Sequence, residues 1–169
     1  METSLPHASK IEKDARAVLD AFKAAGKRLA TAESCTGGMI AAALTDIAGS
    51  SAVVERGFIS YSNEAKAELL GVPLALIAAK GAVSMEVATA MAEGALAHSH
   101  SSVAVSVTGI AGPDGGSPEK PVGLVWFGLS AGGWTTSDHE VFSGNRAEVR
   151  RQATEKALAL LLDGLHRLK

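Results

Sequence analysis

Apolar positions along this chain follow two alternating periods. Ile11, Ala15, Val18, Leu19 and Phe22 recur at helical spacing and predict an amphipathic helix that closes near Gly26. A short apolar run over 28–33 predicts a strand, an alanine-rich stretch over 39–47 a helix, and the valines and Phe58 within 52–60 a second strand. A short helix is expected over 63–70, and Val87, Met91 and Ala95 give 84–97 helical spacing. The near-continuous apolar segment 102–107 predicts a buried strand, followed by a glycine- and proline-rich loop over 109–121. Strands are expected over 122–129 and 134–142, paired as a hairpin across Gly132-Gly133, and a helix over 145–165 closes the pattern. Strands alternating with helices predict a three-layer α/β/α domain, and the hairpin makes its sheet mixed and mostly parallel.

Composition narrows the picture. With 169 residues and 47% hydrophobic composition, one domain over 1–169 with one sizeable core is expected. Sixteen basic against 18 acidic residues give a formal charge of -2, without a basic stripe interleaved with aromatics, which argues against nucleic acid as a partner. The single cysteine, Cys35, forms no internal disulfide and fits a reducing compartment. No stretch reaches the ~18 apolar residues of a membrane span, so a soluble cytoplasmic protein with no membrane partner is expected.

Chemistry can sit first at Thr31-Ala32-Glu33-Ser34-Cys35-Thr36-Gly37-Gly38, where a strand stops at small hydroxyl residues and glycines before a helix begins. Open α/β sheets bind ligands at the C-terminal ends of strands, and the free N–H groups of the next helix attract negative charge. Taken alone, this Ser-x-Thr-Gly-Gly reads as an ordinary helix N-cap rather than as a catalytic turn. Cys35 ranks below Ser34 as a nucleophile, because cysteine is commonly a small buried filler and no histidine adjoins it in sequence.

A second site is Tyr61-Ser62-Asn63-Glu64-Ala65-Lys66. With Asn63 as N-cap, Lys66 falls in the first helical turn, where the helix dipole disfavours an ammonium by ~0.3–1 kcal/mol. A lysine base working near neutral pH needs a pKa of about 7–8 rather than ~10.4, at ~1.4 kcal/mol per unit, so burial or a nearby cation must supply most of the shift. Without such a neighbourhood, Lys66 is a solvated surface residue beside Tyr61. A third site is the strand end Ser106-Val107-Thr108 with the loop Gly109-Ile110-Ala111-Gly112-Pro113-Asp114-Gly115-Gly116, whose backbone N–H groups can form an anion nest or oxyanion hole. It lacks the Gly-Lys-Ser/Thr ending of a Walker loop and the Rossmann glycine spacing. No Cys/His cluster has zinc spacing, so no metal or other cofactor is expected, and Trp126 and Phe127 are read as core. Arg146, Arg150 and Arg151 open the final helix and can form a solvated face.

These blocks, with Gly57-Phe58-Ile59-Ser60, Leu69-Leu70-Gly71-Val72, Gly81-Ala82-Val83-Ser84, Lys120-Pro121-Val122-Gly123 and Phe142-Ser143-Gly144-Asn145-Arg146, closely resemble the C-terminal domain of the competence/damage-inducible CinA family over nearly the whole chain. The resemblance implies a mixed α/β/α sheet and, as in stand-alone members, metal-free hydrolysis of the carboxamide of nicotinamide mononucleotide (NMN) to nicotinic acid mononucleotide and ammonia. It implies a serine nucleophile at Ser34, with Tyr61, Lys66 and Thr108 at the family's other catalytic positions. Substrate contacts are expected from Glu33, Thr36, Gly37 and Gly38 in the first turn, from Asn63, from Gly109, Ala111 and Gly112 in the loop, and from Arg146. A Ser/Lys pair activates a hydroxyl without histidine. The alternative from another class is a noncatalytic nucleotide- or phosphate-binding module that regulates a partner. A homodimer is expected by fold analogy.

Overall fold

Ser9 accepts the Glu12 N–H and starts α1 (Lys10–Ala25), and Gly26, at φ 63°, closes it by donating to the Phe22 and Lys23 carbonyls. The computed structural model to which these elements belong describes residues 8–168, so the ends of the domain expected over 1–169 lie outside the described residues. There follow β1 (Leu29–Glu33), α2 (Met39–Thr45), a 3-10 turn (Ser50–Ala52), β2 (Val54–Ile59), α3 (Asn63–Leu70), α4 (Leu74–Lys80) and α5 (Met85–Ala97). The chain continues through β3 (Val103–Gly109), β4 (Leu124–Ala131), β5 (Trp134–Val141) and α6 (Arg146–His166).

The strands form one sheet in the order β2-β1-β3-β4-β5. Pairing is parallel between β1 and both β2 and β3, and antiparallel from β3 to β4 and from β4 to β5. Only β4 therefore runs against the other strands, and the sheet is mixed and mostly parallel. Side chains of β3 alternate between its faces. Val103, Val105 and Val107 join Phe22, Leu44, Phe127 and Leu158 in the core beneath α1, α2 and α6. Ala104 joins Ala30, Leu70, Ile77 and Met91 beneath α3, α4 and α5. The small residues on the second face let α5 approach closely. A Cβ on Gly128 would lie 2.2 Å from the Ala88 carbonyl, and Ser106 Oγ donates to that carbonyl (2.6 Å) while accepting the Gly128 N–H (3.0 Å).

Three local expectations change. Helix α4 follows Pro73 in a segment that carries no element in the sequence pattern, and it packs on α5 through Ile77. The N-cap of α3 is Ser62, whose hydroxyl accepts the Ala65 N–H, so Asn63 is the first helical residue. Strand β4 starts at Leu124, because Gly123 (φ 95°) turns there and donates to the Ile110 carbonyl.

The sheet order positions the site. From β1 the chain crosses to β2 on one side, then returns past β1 to β3 on the other, and such a reversal opens a crevice at the C-terminal ends of the strands. Ser34, Ser60 and Gly109 stand at those three ends.

Candidate active site

The turn after β1 is built from its first side chain outward. Glu33 is buried, and its carboxylate accepts the Thr36 hydroxyl (2.7 Å) and the Ile40 and Ala41 N–H groups (2.9 and 3.1 Å), so it anchors the positive end of α2. Gly37 and Gly38 (φ 57° and 105°) make the turn that reaches that helix. Ser34 donates its N–H to Val107 O (3.0 Å), which ties the turn to β3, and accepts the Gly37 N–H on its own carbonyl (3.0 Å).

Lys66 reaches this turn from α3, 32 residues away. Its Nζ lies 3.0 Å from Ser34 Oγ, 3.0 Å from Ser60 O and 3.1 Å from Tyr61 O, and the residue is 1% exposed. Burial lowers the Lys66 pKa from its ordinary value, as desolvation disfavours the charged amine. A neutral amine keeps two N–H groups and one lone pair. In that form the two carbonyls take the N–H groups and leave the lone pair for Ser34 Oγ, whereas the protonated amine donates to all three oxygens.

An open cleft of about 230 Å³ lies over this pair, lined by Ser34, Cys35, Tyr61, Asn63, Lys66, Ala82, Val83, Thr108, Gly109, Ala111 and Arg146. Thr108 donates its hydroxyl to Ala82 O (2.9 Å), which ties the end of β3 to the segment after α4. Gly109 turns its N–H and C=O to the same side as Val107, whose carbonyl takes Ser34 N–H. Arg146 crosses the mouth, donating to Gly112 O (2.8 Å) and to the Tyr61 hydroxyl (3.3 Å). A larger trough of about 550 Å³ adjoins the cleft at Val83, and Trp126 and His139, stacked at 4.4 Å, line it. No helix among the described residues is long and apolar enough to cross a membrane.

The structure thus brings Ser34, Tyr61, Lys66, Thr108, Asn63, Gly109, Ala111 and Arg146 to one cleft. Glu33, Thr36, Gly37 and Gly38 do not line it. Glu33 and Thr36 are corrected from substrate contacts to supports of the turn, because both side chains are buried and bonded to each other or to α2. Gly112 meets the site through the carbonyl that Arg146 holds. Tyr61 engages Lys66 with its carbonyl rather than its phenol, which is turned to solvent and Arg146. Burial pushes the Cys35 thiol up to about 11, which keeps it protonated at neutral pH. Two participants escaped the sequence reading. Ser60 serves through a carbonyl, for which no sequence signal exists. Arg150 donates from Nε to Cys35 O (3.0 Å) and from Nη2 to Thr36 O (3.3 Å). Its spacing of one helical turn from Arg146 is the signal that could have found it.

Residues 11–165 match the family profile of the CinA C-terminal domain. The chain belongs to this family. Among its CinA relatives, the nicotinamide-nucleotide amidohydrolase PncC of Escherichia coli K12 is 57% identical over 142 residues, covering 83% of this chain and 86% of that protein. A PncC of Enterobacter agglomerans is 54% identical over 143 residues, 84% and 87% of the two chains. A CinA-like protein of Anaeromyxobacter dehalogenans is 50% identical over 144 residues, which span 85% of this chain but 35% of that longer one. The crystal structure of the competence/damage-inducible protein CihA of Agrobacterium tumefaciens superposes with a TM-score of 0.91 at 47% identity, covering 97% of this chain and 99% of that one.

Proposed function

We propose that this protein hydrolyses the carboxamide of NMN to nicotinic acid mononucleotide and ammonia, with Ser34 as nucleophile and Lys66 as base. The observation that carries the mechanism is the buried Lys66 amine 3.0 Å from Ser34 Oγ. Its relatives named nicotinamide-nucleotide amidohydrolase support the substrate. A module that only binds nucleotides gains nothing from a desolvated lysine beside a hydroxyl, so the catalytic reading is favoured over the regulatory one.

Neutral Lys66 takes the Ser34 proton as Oγ bonds to the carboxamide carbon, and the C=O electrons move to oxygen. Backbone N–H groups of the Ser34 turn or of Gly109 receive that oxyanion. As the tetrahedral intermediate collapses, the C–N bond breaks, Lys66 returns its proton to the leaving nitrogen, and ammonia departs. Water then gives a proton to Lys66 and its hydroxyl to the acyl carbon. Ser34 oxygen leaves with the proton from Lys66, releasing the acid. Arg146 at the mouth is the cation placed for the phosphate, with Asn63, Ala111 and the Gly112 backbone beside it. The proposal assigns the enzyme to the cytoplasm and to a homodimer, which sedimentation velocity measures.

The test is ammonia release from NMN by the wild-type protein beside Ser34→Ala, with nicotinamide and nicotinamide riboside as comparison substrates. Release from NMN alone, lost in the variant, is the expected result. A fully active Ser34→Ala protein overturns the mechanism, and absence of release from NMN by wild type overturns the substrate.

A further inference from the structure

The carbonyls of the Ser34 turn are more fully satisfied than its N–H groups. The Ser34 carbonyl accepts from Gly37 N–H, that of Cys35 from Arg150 Nε, and that of Thr36 from Met39 N–H and Arg150 Nη2. The N–H groups of Cys35 and Thr36 find no backbone acceptor among the described residues. Each peptide is planar and trans, so a carbonyl held on one side sends the N–H of the same plane to the other. Arg150 Nε therefore sets the 35–36 plane and with it the Thr36 N–H. Its Nη2 shares the Thr36 carbonyl with Met39 N–H, and the two together set the 36–37 plane, which carries the Gly37 N–H that holds Ser34 O and so orients the Cys35 N–H. A Cβ on Gly37 would stand 3.5 Å from Arg150 Nη2, so the guanidinium packs directly against the turn. Its anchor is rigid, since the neighbouring Val149 and Ala153 are buried in the core and the Arg150 carbonyl accepts the Thr154 hydroxyl (2.9 Å).

We propose that Arg150 is a positioning residue that holds the Ser34 turn so that the Cys35 N–H, at the cleft wall, receives the oxyanion. This rests on the Ser34 reading above. Arg150 touches no reacting atom, and it acts in the transition state through two peptide planes. A lysine replaces the guanidinium fork with a single point donor and serves one carbonyl at a time.

The experiment measures kcat and KM for NMN in Arg150→Ala and Arg150→Lys, with Ser34→Ala as reference, beside thermal unfolding. Guanidinium chloride is added far below denaturing levels. Losing one oxyanion donor costs about 10²–10³ in kcat, so a misaimed donor in Arg150→Ala is expected to lower kcat by about 10–100-fold with KM within about 3-fold. Added guanidinium ion restores part of kcat, and Arg150→Lys falls between the two. A wild-type kcat in Arg150→Ala overturns the proposal, as does a raised KM with unchanged kcat, or a loss that guanidinium does not relieve. Should Arg150→Ala fail to fold, Arg150→Lys decides alone: reduced kcat at unchanged KM supports the role, and wild-type kcat overturns it. An active Ser34→Ala protein fails the Ser34 reading itself, whatever the Arg150 variants show.

Discussion

Replacing Lys66 with Met separates the chemistry of the buried amine from its structural weight. Met keeps an unbranched side chain of similar volume and removes the nitrogen. The structure loses three polar contacts at 3.0, 3.0 and 3.1 Å, two of them to the Ser60 and Tyr61 carbonyls. A buried carbonyl left without a partner costs ~1–3 kcal/mol, whereas relief from burying the amine acts in the opposite direction. Net stability near neutral pH is therefore expected to move by no more than about 2 kcal/mol. Activity is expected to fall by about 10²–10⁴, the usual contribution of a general base.

The pH dependence provides the sharper signature. Burial lowers the Lys66 pKa from the ordinary 10.5, so between its folded pKa and 10.5 the unfolded chain binds one more proton than the folded one. Wild-type stability gains a contribution that rises with pH across that window, at up to ~1.4 kcal/mol per pH unit, and is level on either side. Lys66→Met lacks this contribution. Urea unfolding of both proteins over a pH series gives the difference directly, and kcat/KM of the wild type should rise with pH as Lys66 loses its proton. A difference in stability that stays flat across the window, or wild-type kcat/KM in Lys66→Met, refutes the reasoning.

Cys35→Ala is expected to keep kcat/KM within about 3-fold and to cost about 1 kcal/mol, because the thiol is buried filler held protonated at neutral pH. Steady-state kinetics beside urea unfolding checks both, and a large loss of kcat in a folded variant would revive the thiol as nucleophile. Glu33→Gln exchanges one acceptor oxygen for an NH2 facing the N–H groups of α2, and is expected to cost roughly 2–3 kcal/mol and lower Tm by about 5–10 °C. Calorimetry measures it, and an unchanged Tm would show that the carboxylate does not anchor the turn.

Much of the architecture was legible in the sequence because its signals are local. The Val87, Met91, Ala95 spacing marked α5, Gly26 marked the end of α1, and Gly132-Gly133 marked the hairpin. Helix α4 escaped because seven residues after Pro73 carry neither a side-chain cap nor a full amphipathic period, and packing on α5 forms the helix. The cap of α3 was misread by one residue, since Ser62 and Asn63 are both good caps.

The sequence by itself determined the mixed α/β/α class and the three segments that carry Ser34, Tyr61 with Lys66, and Thr108. Strand runs, glycine turns and helix starts are decided within a few residues. Only the tertiary structure decided what those segments do to one another. Running β1 between β2 and β3 set Ser34 and Lys66 side by side across 32 residues and brought Arg150 onto Cys35 across 115. It also turned the Glu33 carboxylate away from the cleft and the Tyr61 phenol toward Arg146. Desolvation of Lys66 is the clearest case. It depends on which surfaces close around the amine, and no pattern of neighbours along the chain specifies that.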